Sequence, residues 1–321
     1  MLKTYYDYDI LRDLMLSKPS DFLTDKFQIW LNYLKFIHSG TDLFLTNLPD
    51  DFNETFLNGL TAGRGESKLS LVKKLNRFYK NKVPSSFGPD NLFFFDDDNE
   101  TEQKKYRENN SHFFGFINDH FNAFKRFAHA GKSNVIPVRK GIKYNRFSSW
   151  AVLNDYLLPF SDCVIIDNYI FSKPENVLEQ NIEKILIALD QASPVRYNLL
   201  IITYYGIKKE IEMAYIKSFL EKLRKKAHLK GNISVILTHK IEHDRNIFMN
   251  YMRINSKASF NYFDFRGKPD IRTEIEFLSY LDNEKFMNAR IILDDIYSDI
   301  NKIIERADPE EVYGDCKSRL I

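Results

Sequence analysis

Apolar residues form continuous runs in the second half of the chain, and longer amphipathic stretches separate these runs. Three runs, at 162–169, 199–203 and 233–238, have the length and the β-branched composition of buried strands. The stretches at 174–192 and 208–229 follow the first two runs and repeat apolar residues three and four apart, which is typical of helices. Continuous apolar strands joined by helices predict a parallel sheet covered on both faces.

The remaining patterns predict further elements and a division of the chain. After the third run we expect strands at 246–250, 252–254 and 260–265, and a helical tail at 273–306. In the first half we expect helices at 21–38, 51–60, 69–80 and 112–127, and strands at 42–46, 92–95 and 134–138. The polar, basic segment 141–149 separates the two halves. The sequence therefore predicts an N-terminal domain, 1–147, of mixed α/β or mostly helical type, and an α/β domain with C-terminal helices, 148–321.

Composition limits the class of protein. The 321 residues are 44% hydrophobic and 28% charged, which is the balance of a folded globular chain. Two cysteines, Cys163 and Cys316, provide neither a disulfide framework nor a four-cysteine metal site, so a reduced, cytoplasmic setting is expected. The sequence contains no run of eighteen apolar residues, so no membrane span is expected, and no signal peptide is recognisable at the start. Abundant Lys, Asn, Ile, Phe and Tyr, whose codons are AT-rich, indicate a bacterial source.

Charge is unevenly distributed although the net charge is only +2. Between His120 and Asn154 there is no Asp or Glu, and basic residues accumulate there: Lys125, Arg126, Lys132, Arg139, Lys140, Lys143 and Arg146. Phenylalanines and a tyrosine are interleaved with them. Cations that neutralise phosphates, together with aromatic rings that stack on bases, suit a nucleic-acid partner. The alternative is that the rings belong to the core and the cations to a solvated face.

Acidic residues follow one predicted strand of the first half. Asp96, Asp97, Asp98 and Glu100 come directly after the run at 92–95. Carboxylates in that position can hold a divalent cation, but a solvated acidic loop is the interpretation that the sequence favours. No metal ion and no cofactor are therefore expected.

A histidine motif follows the third apolar run. His243 and Arg245 stand two apart, and Asn250 lies five residues further on. A polar segment comes next, with Ser256, Lys257, Ser259 and Asn261. The order of these residues resembles one half of the phospholipase D superfamily, including inactive relatives such as the C-terminal domain of microtubule-interacting-and-trafficking proteins. In that family the motif is histidine, any residue, lysine, four residues and aspartate, followed by a Ser/Asn turn.

The resemblance implies a role for each matching residue. His243 would be the nucleophile that attacks phosphorus, Arg245 would supply the positive charge of the lysine, and Asn250 would take the place of the aspartate. The polar residues would bind phosphate or another ligand: Ser256, Lys257, Ser259 and Asn261. Asp167 joins this set because it ends a buried strand, where doubly wound sheets place ligand-binding residues. The alternatives are that residues 243–245 form a strand-end ion pair and that Asp167 caps a turn.

The departures from the family pattern decide between two functions. Asparagine stabilises an imidazolium less well than aspartate, and the chain has one motif where an active site needs two. The sequence therefore predicts a binding or effector protein whose degenerate domain recognises nucleic acid, a phosphate-bearing ligand or a protein partner. By analogy, a bacterial antiviral defence system is a natural setting. The alternative is a metal-independent nuclease or phosphodiesterase that uses His243, and it requires a homodimer.

Overall fold

A computed structural model describes residues 1–52, 54–75, 83–130, 134–142, 146–206, 211–240 and 244–321; for residues 129, 130 and 134 it describes the backbone only. The chain is an α/β protein with two sheets. Its contacts divide it into two units: Met1–Gly131 with Ser279–Met287, and Lys132–Leu278 with Asn288–Ile321. The division falls before the strand at 134–139, whereas the sequence placed it after Phe147.

The first unit alternates strands and helices. Its strands are β1 Leu2–Asp7, β2 Thr41–Thr46, β3 Leu69–Val72, β4 Asn91–Phe95 and β5 Phe113–Phe116. Its helices are α1 Tyr8–Leu16, α2 Asp25–Lys35, α3 Glu54–Thr61, α4 Glu100–Asn109 and α5 His120–Ala130, with a π-helical turn at Phe36–Gly40 after α2.

All neighbouring strands of the first sheet are parallel, in the order β3-β2-β1-β4-β5. The chain moves outward from β1 to β3 on one side and then returns to place β4 on the other side of β1. The strand order therefore reverses between β1 and β4. In open parallel sheets, ligands bind at such a reversal, outside the carboxyl ends of the strands.

The second unit contains the longer sheet. Its strands are β6 Asn134–Arg139, β7 Asp162–Ile166, β8 Asn198–Tyr204, β9 Asn232–Thr238, β10 Arg245–Met249, β11 Met252–Ser256, β12 Arg272–Ser279 and β13 Val312–Tyr313. Its helices are α6 Glu175–Leu178, α7 Ile182–Ala192 and α8 Met213–Ala227, with a 3₁₀ turn at Trp150–Asp155. The helix α9, Asn283–Arg306, begins in the segment that belongs to the first unit.

The second sheet is mixed, with the order β13-β9-β8-β7-β10-β11-β12-β6. β7, β8 and β9 are parallel, as their continuous apolar sequences predict. β10 is antiparallel to β7, and β11 is antiparallel to β10. The core of this unit contains the apolar residues of the parallel strands together with α7 and α8. The antiparallel strands turn the start of β10 towards the carboxyl end of β7.

Four sequence-based elements are wrong. A helix was predicted at 69–80, but residues 69–72 form strand β3. Residues 76–80 of that prediction lie outside the described residues. Phe113–Phe116 is strand β5, and the helix begins only at His120. Residues 260–265 form a loop with one bridge, between Phe263 and Pro269. The predicted helical tail at 273–306 begins with strand β12. The apolar residues of β12 alternate with polar ones, which is the period of two expected for a strand.

Pairing explains why the phenylalanine-rich segment is a strand. Each residue of β5 pairs with β4 in parallel register, and Phe113, Phe114 and Phe116 are buried. Gly115 lies against Phe94 so closely that a Cβ atom on Gly115 would lie 2.5 Å from the ring. The absence of a side chain therefore allows this ring to pack on the strand.

No helix among the described residues is long and apolar enough to cross a membrane.

Candidate functional site

Several of the predicted ligand residues come together at one edge of the second sheet. Asp167 follows β7 directly, and Asn246 of β10 is paired with Ile166 of β7. Arg245 therefore lies beside the carboxyl end of β7. Arg245 is in turn paired with Ser256 of β11, so the loop after β11 starts at the same edge.

Asp167 fastens this loop to the end of β7. Its buried carboxylate accepts hydrogen bonds from the backbone N–H of Tyr169 (3.0 Å), from the hydroxyl of Ser259 (2.8 Å) and from the backbone N–H of Phe260 (2.7 Å). Burial raises the pKa of this carboxyl, while the three hydrogen bonds and the charge of Arg245 act in the opposite direction. The position of Asp167 therefore explains the shape of the loop without a ligand.

Tyr169 is held at this edge by its backbone and by a cation. The guanidinium of Arg245 lies 5.6 Å from the centre of the Tyr169 ring. The amide of Asn261 donates a hydrogen bond of 2.7 Å to the carbonyl of Tyr169. The Asn261 side-chain oxygen is buried and has no hydrogen-bond partner among the described residues. Asp167, Arg245, Ser259 and Asn261 are thus neighbours at this edge.

Other predicted residues have different surroundings. Ser256 is buried, where its hydroxyl donates to the carbonyl of Ala258 and lies 2.5 Å from the Tyr262 hydroxyl. Lys257 is exposed and forms an ion pair of 3.2 Å with Glu274. These contacts of Ser256 and Lys257 are made with residues other than Asp167.

The structure separates Asn250 from Arg245. Five residues of extended chain, at roughly 3.4 Å each, place them about 17 Å apart at opposite ends of β10. Asn250 is buried, and its side-chain oxygen accepts from the backbone N–H groups of Ser161 (3.2 Å) and Asp162 (3.3 Å). Asn250 thus holds the start of β7. His243 lies outside the described residues.

The basic run is divided between the two units. Lys125 and Arg126 lie on α5 in the first unit, and the guanidinium of Arg126 stands 5.5 Å from the centre of the Phe113 ring. Arg139, Lys140 and Arg146 belong to the second unit and are exposed; Lys140 forms an ion pair of 2.5 Å with Asp270. Lys132 and Lys143 lie outside the described residues.

A second cluster, which the sequence analysis missed, lies where the strand order of the first sheet reverses. Asp7 ends β1 and is 1% exposed. One carboxylate oxygen accepts from the hydroxyl of Thr46 and from the amide of Asn47, both at 2.6 Å. The other oxygen accepts from the backbone N–H of Asp96 at 2.8 Å. The carboxylate is therefore fixed between the ends of β1, β2 and β4.

Asp7 also occupies the N-cap position of α1, yet its side chain caps none of the helix's N–H groups. Aspartate at this position normally accepts a hydrogen bond from the first turn. Because the carboxylate is turned to the sheet edge, the positive end of the helix dipole faces the same edge without a cap from Asp7. The N-terminal end of a helix is favourable for an anionic ligand.

The remaining strands add both charge signs to this edge. Asp96 and Asp97 follow β4, and the exposed Lys73 and Lys74 follow β3. Asn47 bridges the ends of β1 and β3, because its amide oxygen also accepts from the backbone N–H of Leu75 at 3.2 Å. No group of three His, Cys, Asp or Glu side chains among the described residues is arranged to enclose a metal ion.

No protein-family model and no curated protein matches this chain. Function must therefore be inferred from the two edges. The first sheet offers a fixed carboxylate, neighbouring acidic residues, a hydroxyl and lysines. The second sheet offers a guanidinium, an aromatic ring and amide groups. The acidic segment at 96–98 was the sequence signal for the first edge. Asp7 was missed because the sequence analysis did not predict β1, the strand that Asp7 ends.

Proposed function

We propose that the first unit hydrolyses phosphate monoesters with the help of a divalent cation, and that Asp7 is its essential carboxylate. The observation that carries the proposal is the placement of Asp7. Asp7 is buried where the strand order reverses, and three hydrogen-bond donors orient its carboxylate. Its side chain makes no hydrogen bond to the first turn of α1.

The charges at this edge favour a cation together with a phosphate. Asp7, Asp96 and Asp97 would repel a phosphate that arrived alone. Mg²⁺ usually takes only one or two carboxylates from a protein and completes its shell with water and phosphate oxygens, so a third acidic ligand is not required. When bound, the ion would neutralise the charge on the phosphoryl oxygens.

The protein's own groups would orient the ester and react with it. The N-terminal end of α1 and the lysines after β3 would attract the phosphoryl oxygens. An oxygen of Asp7 would attack phosphorus, the bond from phosphorus to the alcohol oxygen would break, and the alcohol would leave with a proton from water. Water would then hydrolyse the acyl phosphate, which releases inorganic phosphate and restores the carboxylate. Thr46 would act as a positioning residue because it holds Asp7.

Phosphate release from p-nitrophenyl phosphate by the full chain tests this function. We expect release with MgCl₂, loss of release with EDTA, and recovery when excess MgCl₂ is added, because the acidic edge needs the cation. The absorbance of p-nitrophenol measures the rate.

The His243→Ala variant serves as the control, and it should retain the wild-type rate. Cleavage that resists EDTA and disappears in His243→Ala would instead support the histidine phosphodiesterase that the sequence suggested. Absence of release under all conditions, with p-nitrophenyl phosphate and with a set of natural phosphate monoesters, would overturn the proposal.

The second unit supports a second proposal, which is recognition of a phosphate-bearing ligand without cleavage. The observation in its favour is that Arg245, Ser259 and Asn261 meet at the carboxyl edge of β7. The phospholipase D-like character of this unit, a nucleic-acid or protein partner and a homodimer remain predictions from the sequence. Asparagine at position 250, where the family has aspartate, favours binding over catalysis within this proposal.

A further inference from the structure

A cavity of about 530 Å³ opens in the second unit beside the loops that follow β7 and β8. This volume lies within the range of about 300–1,000 Å³ that is usual for small-ligand sites. Its lining combines three tyrosines with polar and cationic side chains: Tyr169, Tyr204, Tyr215, Asn168, Ser172 and Lys173. Its position at the carboxyl ends of parallel strands is where open α/β sheets bind ligands.

Tyr169 offers the cavity a ring whose position is fixed. Tyr169 is 40% exposed, while its backbone N–H and carbonyl are bonded to Asp167 and Asn261. The guanidinium of Arg245 lies over the ring. A ring held in this way stacks on a ligand at little cost in conformational entropy.

Tyr215 reaches the same cavity from helix α8. It is 37% exposed, and its hydroxyl is 3.5 Å from the carbonyl oxygen of Lys173. Lys173 is exposed and forms no ion pair with another described residue. The cavity therefore combines two accessible rings with one ammonium group that is available to an anion.

We propose that this cavity binds a mononucleotide, with the base stacked on Tyr169 or Tyr215 and the phosphate near Lys173. Aromatic rings stack on any base, and lysine is a common partner of phosphate. A longer nucleic acid would need further cations beyond the cavity. The described lysines on the neighbouring face of α8 are already paired, Lys222 with Glu175 and Lys226 with Glu183. A single nucleotide therefore fits better than a strand.

Calorimetric titration of the full chain with the four ribonucleoside 5′-monophosphates tests the proposal. EDTA is present so that divalent-cation binding and hydrolysis in the first unit do not contribute. We expect at least one nucleotide to bind, and Tyr169→Ala and Tyr215→Ala each to weaken its affinity at least about fivefold, because stacking is lost. Lys173→Ala should weaken binding of the nucleotide but leave the weaker binding of its nucleoside unchanged.

A matched control separates the cavity from the rest of the surface. Tyr297 on α9 is 45% exposed and does not line the cavity, so Tyr297→Ala should bind the nucleotide as the wild type does. Absence of binding by all four nucleotides, or binding that none of the cavity variants weakens, would overturn the proposal. So would equal affinity for inorganic phosphate, or a much tighter, salt-dependent affinity for single-stranded oligonucleotides. These results do not depend on phosphatase activity in the first unit.

Discussion

Replacing Asp7 with asparagine is expected to lower kcat for phosphate-monoester hydrolysis by at least about 10³-fold, because the amide cannot act as the nucleophile. The side chain keeps its size and can still present one oxygen to the donors of Thr46 and Asn47. KM should change much less than kcat, since the start of α1 and the lysines after β3 remain. Steady-state rates with MgCl₂ measure both quantities.

The same substitution should leave the first unit folded. The amide nitrogen would replace the oxygen that accepts from the backbone N–H of Asp96, so one hydrogen bond is lost. Because the backbone N–H of Asp96 is then left without its acceptor at a part-buried site, the loss costs about 1–3 kcal/mol, and urea unfolding would detect it. If Asp7→Asn unfolds at a much lower urea concentration than the wild type, its low rate of hydrolysis could come from unfolding. The rate of Thr46→Val is then measured as well. This second variant removes only the hydroxyl that positions Asp7.

Asp42 provides the matched control for the charge change. It lies at the amino end of β2, at the opposite edge of the same sheet, and accepts from the backbone N–H of Lys68. Asp42→Asn should hydrolyse the ester at the wild-type rate. If Asp7→Asn is equally active, Asp7 is not the nucleophile and the proposed reaction is wrong.

Replacing Arg319 with alanine is expected to destabilise the second unit by about 2–3 kcal/mol, close to the lower end of the cost of breaking a buried ion pair. Asp162 is fully buried, and its carboxylate accepts from the Nε of Arg319 at 3.0 Å and from the backbone N–H of Arg319 at 2.9 Å. Without the guanidinium the buried charge keeps only neutral donors, among them Ser161 and Asn198. Solvent weakens the pair because the Arg319 side chain is 38% exposed, so the cost lies below that of a fully buried pair. Equilibrium urea unfolding measures the change.

Two further variants test whether the loss is specific. Arg319→Lys keeps the charge but not the forked geometry, so it should cost less than the alanine variant. Lys317 pairs with Asp315 while 76% exposed, and Lys317→Ala should cost less than about 0.5 kcal/mol. A loss for Arg319→Ala no larger than for Lys317→Ala would mean that the Asp162 ion pair adds nothing to stability.

The sequence predicted the parallel strands of the second unit well, because β7, β8 and β9 are buried on both faces and their apolar runs are continuous. It also predicted that Asp167 would end a strand. It could not predict that Arg245 would stand beside it. That neighbourhood depends on the antiparallel pairing of β10 with β7, and such pairing is determined by contacts distant in sequence.

The candidate site of the first unit was harder to predict for two reasons. The segment that forms β1, Leu2–Asp7, mixes Lys and Thr with aromatic residues and lacks a continuous apolar run. β5 is a strand only because it pairs with β4, since its phenylalanines repeat with a spacing that also fits a helix. Without β1 at the centre of the sheet, neither Asp7 nor the reversal of strand order could be located, and the acidic segment after β4 had no partner.

The discontinuity of the first unit has a consequence for how the protein is made. Residues 279–287 belong to this unit, yet the ribosome adds them only after residues 132–278 of the second unit. Domains usually fold in order as they emerge during synthesis. Here the first unit must wait for its last segment, and Asp162 must wait for Arg319. The first unit is therefore complete only after residue 287 and the Asp162 ion pair only after Arg319, so a chain that ended before residue 279 would leave both units unfinished.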